Sequence, residues 1–300
     1  MNRSTANLLL LLTAAIWGGA FVPQQTAMRV MTPMWFLTLR FALTLVVLAP
    51  LVWRERRLAR EPLDGRALRL MIAVGTAFIA GNVTQQVSLL TTSVANAGFL
   101  TSLYILFTPF AALALTHERP GAAIWPAAAL GLLGAWLMSG GLTGDFVIGD
   151  VLVTIGAAAW ALQIVFIGMA MRVSNRPMTL VAIQCAMMVV VCGAWAGVND
   201  PISLAAIVAA APEIAYTGLV SGFVAYSLQA IAQRHTEASD AAIVFSTEAP
   251  FAALFGMVLL AERPSPMQWA GSAVIFAAVL LVQLWPSRRD TASDASSSAG

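Results

Sequence analysis

A 300-residue chain that is 59% hydrophobic and only 10% charged, with a mean hydropathy of +0.82, departs from the roughly 45–50% apolar and about 25% charged make-up of soluble domains. This excludes a soluble globular protein and places the function within or across a bilayer. The net charge of +2 offers no footprint for nucleic acid, and all sixteen basic residues are Arg, so their positions carry more information than their sum.

The first 22 residues have the look of a secretory leader, with Arg3 ahead of the apolar run Leu8 to Ile16 and the small residues Gly18, Gly19 and Ala20 after it. A second copy argues against cleavage: Trp17 has a counterpart in Trp160, and Ala27-Met28-Arg29-Val30 returns as Ala170-Met171-Arg172-Val173. The segment is therefore kept as the first membrane helix. With Gly, Pro and charges as punctuation, ten spans are expected near 7–27, 33–53, 68–90, 93–115, 122–140, 150–171, 178–197, 213–233, 239–260 and 266–285. Only polar residues around Thr91 and Thr92 divide the third from the fourth. The polar tail 287–300 reads as a disordered cytoplasmic extension. Cys185 and Cys192, about 10.5 Å apart along one helix axis, are beyond disulfide reach and read as packing residues.

The chain repeats itself at an offset of 144 residues. Glu118-Arg119-Pro120 recurs as Glu262-Arg263-Pro264, and Gln85, Ser102, Phe107 and Trp125 meet Gln229, Ser246, Phe251 and Trp269. Two units follow, residues 1–141 and 150–286. A cytoplasmic N-terminus puts thirteen Arg inside and only Arg29 and Arg263 outside, with Arg40 within a span, so this orientation satisfies the positive-inside rule. Each unit holds an odd number of spans, so the second enters upside down. The expected fold is an all-α membrane protein of ten transmembrane helices in two inverted five-helix repeats, the arrangement of alternating-access transporters.

The segment Thr13-Ala14-Ala15-Ile16-Trp17-Gly18-Gly19-Ala20-Phe21, the Leu39-Arg40-Phe41 of the second span, and the repeated Glu-Arg-Pro followed by a Trp resemble the EamA-type transporters of the drug/metabolite transporter superfamily. The resemblance spans about residues 7 to 285. It implies the five-plus-five inverted arrangement and export of small metabolites across a bacterial inner membrane. The sequence is also similar to the YddG-type exporters of aromatic and other neutral amino acids.

Polar groups inside spans mark a pathway, because they cost free energy unless paired or wet. Phe78, Asn82 and Gln85 share one face of the third span, and the eighth repeats the stripe with Gly222, Tyr226 and Gln229. Their competing role is interhelical hydrogen bonding, worth only about 0.6 kcal/mol on average. Trp17 and Trp160 lie nearer the midplane than the interfacial belt where Trp collects, which favours pathway lining over bundle packing, and Gln24 and Gln163 extend the same faces. Trp35, Trp53 and Trp285 read as belt anchors. Tyr104 corresponds to Glu248, an ionisable residue well inside the ninth span. Glu248 either takes a coupling proton or a substrate ammonium, or is a neutral carboxyl bonded to a neighbour, with Asp240 on roughly the same face and Pro250 expected to kink the helix. Asn96 aligns with Asp240, so charge chemistry is expected to be asymmetric. Arg40 aligns with Gln184; it could hold a substrate carboxylate, but the resemblance, through the family's recurrent Arg at this point, implies a structural role, a fixed pair or snorkelling to the outer headgroups.

His117 and His235 border loops, no metal-ligand spacing or nucleotide-binding loop occurs, and neither a cofactor nor catalysis is expected. The basic 54–69 loop suits topology and contact with membrane lipids. The expected partner is a small neutral or zwitterionic molecule, most simply an aromatic or other apolar amino acid; another metabolite such as a drug or nucleobase is the alternative, and a non-transporting receptor or scaffold a third.

Overall fold

The computed structural model describes residues 1–59, 61–92, 94–117, 120–139, 147–260 and 263–284. Glu118-Arg119 and Glu262 of the repeated motif, the Asn96 side chain, Trp285 and the tail lie outside the described residues.

Fourteen α-helices and one π-helical segment occur among the described residues. In the first copy they are α1 (Arg3–Ala27), α2 (Pro33–Leu58), α3 (Gly65–Ser88), the broken pair α4 (Val94–Thr101) and α5 (Tyr104–Thr116), and α6 (Ile124–Met138). The second has α7 (Ile148–Val173), α8 (Pro177–Asn199) and a short α9 (Leu204–Ala209). It continues with α10 (Ala211–Ala215), the π-helical segment (Tyr216–Ala225) and α11 (Tyr226–Ala232), which together form one span. The broken pair α12 (Ala238–Phe245) and α13 (Glu248–Leu260), then α14 (Pro266–Leu284), complete it. Eight of the resulting spans are long and apolar enough to cross a membrane, and the shorter apolar α6 and α14 make up the ten.

Local chemistry sets the helix ends. Asn2 caps α1 through its Oδ1, which accepts from the Thr5 amide at 2.8 Å, and Asp64 caps α3 through the Arg66 amide at 3.2 Å. Pro33 and Pro177, equivalent by the repeat, each open a helix where the missing amide is harmless. The fourth and ninth spans are both interrupted beside the equivalent residues Ser102 and Ser246, where tight turn bonds replace α-helical ones. Pro250 thus kinks nothing. It sits in the first turn of α13, beyond a break already made, and the Ser246 carbonyl accepts from the Ala249 amide at 3.3 Å.

Helices pack chiefly against the other copy. The equivalent spans α2 and α8 face one another, as do α6 and α14, while α3 lies on α7 as α1 lies on the π-helical span. That exchange is what a twofold axis between inverted copies requires. The α2–α8 pair is fastened at both ends: Glu55 receives the Met178 and Thr179 amides of α8 at 3.1 and 2.7 Å, and Asp200 receives the Thr32 hydroxyl at 2.8 Å. The α6–α14 pair relies on small residues, because a Cβ on Gly134 would stand 2.7 Å from the Gly271 carbonyl oxygen.

Candidate functional site

An aromatic cluster fills the centre of the bundle. Trp17 lies 5.0 Å from the Tyr226 ring and 5.1 Å from Phe245, and Phe78 meets Tyr226 edge-on at 4.9 Å and Trp160 at 6.0 Å. Beside these rings lies a narrow cavity of about 60 Å³, well below the roughly 300–1,000 Å³ usual for small-molecule sites, so its walls must part to admit a ligand. Both copies supply its wall. Trp17, Gln24, Asn82, Gln85 and Tyr104 come from the first, and Trp160, Gln163, Tyr226, Gln229 and Glu248 from the second. Of the side chains nominated from sequence, only Phe78 is absent from the wall. It is fully buried, its edges taken up by Phe41, Tyr226 and Trp160, so it supports the rings that face the cavity.

The polar groups form two clusters of different character. In the first copy the guanidinium of Arg40 donates to Gln24 Oε1 at 3.1 Å and to Asn82 Oδ1, joining α1, α2 and α3. Gln86 Nε2 reaches the Gln24 carbonyl at 3.3 Å. Gln85 Oε1 accepts from Trp160 Nε1 at 3.0 Å across the copies. In the second copy the cluster is neutral. Gln229 Nε2 donates to Gln163 Oε1 at 3.2 Å, Gln163 Nε2 lies 3.5 Å from Gln184 Oε1, and Gln233 Nε2 donates to the Ile164 carbonyl at 2.9 Å.

Tyr104 and Glu248 are the first residues of α5 and α13, so each stands at the N-terminus of a half-helix, where the aligned peptide dipoles favour negative charge. The Tyr104 hydroxyl donates to Glu248 Oε1 at 3.3 Å. Since these two residues are equivalents in the repeat, their contact lies on the pseudo-twofold axis. Asp240, on the sequence a candidate partner for Glu248, pairs instead with Arg3 at 2.9 Å where α1 and α12 begin. Glu248 is 6% exposed and is the one carboxyl in the cavity wall among the described residues.

Arg40 departs from the snorkelling role considered above. It is 3% exposed, its charge lies 4.5 Å from the Phe41 ring centroid, and it faces the cavity rather than the headgroups. Phe21, Thr101, Ile164, Ser221 and Phe245 also line the wall and were not nominated. Thr101 and Phe245 could have been found, since they immediately precede the recurring Ser102 and Ser246. Neither His117 nor His235 lines the cavity, and the described residues contain no group of three metal-binding side chains.

The comparisons agree with this architecture. The model of the EamA-like transporter family matches residues 4–140 and again 147–284. An uncharacterised transporter of Archaeoglobus fulgidus is 29% identical over 290 residues, covering 95% of this chain and 87% of that protein. A crystal structure of a protein only 16% identical superposes with a TM-score of 0.77 over 94% of this chain and 98% of that one, a likeness of fold. With both halves matched and the inverted packing in place, the chain belongs to the EamA-like transporter family.

Proposed function

We propose that this membrane transporter is a bacterial inner-membrane exporter of small neutral or zwitterionic metabolites, foremost aromatic and other apolar amino acids. In this reading both termini are cytoplasmic, as the Arg bias favours. The two units, 1–141 and 150–286, rock about the central cavity to expose it alternately to each side, with no covalent chemistry. The observation that carries the reading is the Tyr104–Glu248 contact on the pseudo-twofold axis, inside a wall drawn from both copies. A site on that axis is reached equally from either side when the copies exchange conformations. Trp17, Trp160 and Tyr226 offer ring faces to a large apolar side chain, while Gln24, Asn82, Gln85, Gln163 and Gln229 supply neutral hydrogen-bonding groups.

The test is counterflow of radiolabelled neutral amino acids into proteoliposomes containing the purified protein. Saturable flux with phenylalanine or leucine is expected. Failure with every neutral amino acid removes the substrate claim, and flux of a nucleobase or drug that no amino acid inhibits replaces it.

A further inference from the structure

We infer that Arg40 is the anchor for a substrate carboxylate, so that the transported molecules carry a free acid group, with Glu248 facing the positive end of those that also carry an amine. This deepens the transporter reading of the same cavity and rests on it.

Three observations converge. First, Arg40 is a buried cation with no carboxylate within ion-pairing distance among the described residues: its hydrogen-bond partners are the amide oxygens of Gln24 and Asn82. Burying a charge without a counter-charge is costly, and two neutral acceptors with the ring faces of Phe36 and Phe41 offset only part of that cost. Nε has no hydrogen-bond partner among the described residues, leaving the planar donor fork, whose geometry matches a carboxylate, incompletely used. Second, the fold does not require a charge here. The second copy fills the equivalent position with Gln184, buried in the equivalent helix and held by Gln163, so the same helix packing is achieved with a neutral amide. Third, Arg40 and Glu248 line one cavity without forming an ion pair, keeping a guanidinium and a carboxyl apart around the same space. A zwitterion entering that space meets a partner for each end, and the carboxylate supplies the counter-charge that Arg40 lacks.

The experiment measures binding to the purified full-length protein by intrinsic tryptophan fluorescence, since Trp17 and Trp160 line the cavity. The probes are L-phenylalanine and L-leucine with their α-amides, and 3-phenylpropanoate and 4-methylpentanoate with their amides. Each acid is expected to bind at least about tenfold more tightly than its amide. Arg40→Gln abolishes that preference; Arg40→Lys, which keeps the charge but not the planar fork, retains it at reduced affinity. Equal affinity for acid and amide in the native protein overturns the inference, as does an undiminished preference in Arg40→Gln. If Arg40→Gln does not fold, the native acid-to-amide ratio and its persistence in Arg40→Lys decide. Binding of amino acids and amides alike sinks the anchor and leaves the amino-acid reading standing. Binding of the simple acids alone, with the preference lost in Arg40→Gln, does the reverse, and no binding by any acid overturns both.

Discussion

The two copies are alike in backbone plan and unlike in chemistry. Equivalent positions hold Arg40 and Gln184, Asn82 and Tyr226, Phe78 and Gly222, and Tyr104 and Glu248. The regular helix α3 answers to a span whose middle is π-helical. Residues at crossings and breaks, such as Ser102 and Ser246, have been kept in pairs because both copies need the same packing. Around the cavity Gln85 and Gln229, and Trp17 and Trp160, still match, but the four pairs named above differ, which on the proposed reading lets an asymmetric substrate be gripped differently from each side. On that reading, symmetry sets where the site lies, and its breaking sets what the site can hold.

The largest effect is expected where the asymmetry is greatest, on the axis. Glu248→Gln removes the one described carboxyl in the wall while keeping a hydrogen-bonding group for Tyr104. Flux should fall at least about tenfold, equivalent to roughly 1.4 kcal/mol of lost interaction, and its dependence on pH should flatten. Tyr104→Phe deletes only the hydroxyl and should leave that pH dependence in place. Counterflow measured across a pH series separates the two. Unchanged pH dependence in Glu248→Gln excludes a proton-carrying role for this residue.

These contrasts also explain how far the sequence could be read. Span number, inversion and most of the cavity wall were legible, because hydropathy, Arg placement and a fixed offset are signals summed over many residues. The π-helical segment was not, since nothing local separates Tyr216–Ala225 from an ordinary apolar helix. Arg40 was legible only in part, for a related reason: a fixed partner was expected as well as snorkelling, and the sequence did not choose between them. It lies about eight residues into its span, within a long side chain's reach of the headgroups, and only tertiary packing shows that Gln24 and Asn82 hold its head inward. Phe78 shares a face with Asn82 and Gln85, but periodicity does not report depth, and its ring is held behind those of Tyr226 and Trp160.

An effect on stability rather than on flux is expected at another unlike pair, Gly222 and Phe78. Gly222 lets the π-helical span rest on α2: the Thr44 hydroxyl donates to the Gly218 carbonyl at 2.7 Å, and a Cβ on Gly222 would collide with the Thr44 Oγ1. Gly222→Val should therefore destabilise the protein by about 1–3 kcal/mol, the usual cost of overpacking. At the equivalent Phe78, already a large side chain, Phe78→Leu collides with nothing and its cost of about 1 kcal/mol comes instead from space vacated among Phe41, Tyr226 and Trp160. Thermal unfolding in detergent compares them. Equal shifts for the two substitutions would show that the close approach at Gly222 does not distinguish the copies.

The finest test concerns a single indole. Trp160 Nε1 donates to Gln85, whereas the equivalent Gln229 is bonded to Gln163 and Trp17 Nε1 has no hydrogen-bond partner among the described residues. A polar bond between membrane helices is worth about 0.6 kcal/mol on average, so Gln85→Leu should scarcely alter stability. Its signature is spectroscopic: the Trp160 indole N–H resonance should move upfield as its hydrogen bond is lost, with that of Trp17 unchanged. In Gln229→Leu neither indole should respond. If the copies exchange conformations during transport, conditions that favour the opposite-facing state should reverse the pattern, making Trp17 sensitive to Gln229→Leu and Trp160 indifferent to Gln85→Leu. Indole resonances that never exchange this sensitivity would show that the asymmetry is built into the resting fold rather than swapped between the copies.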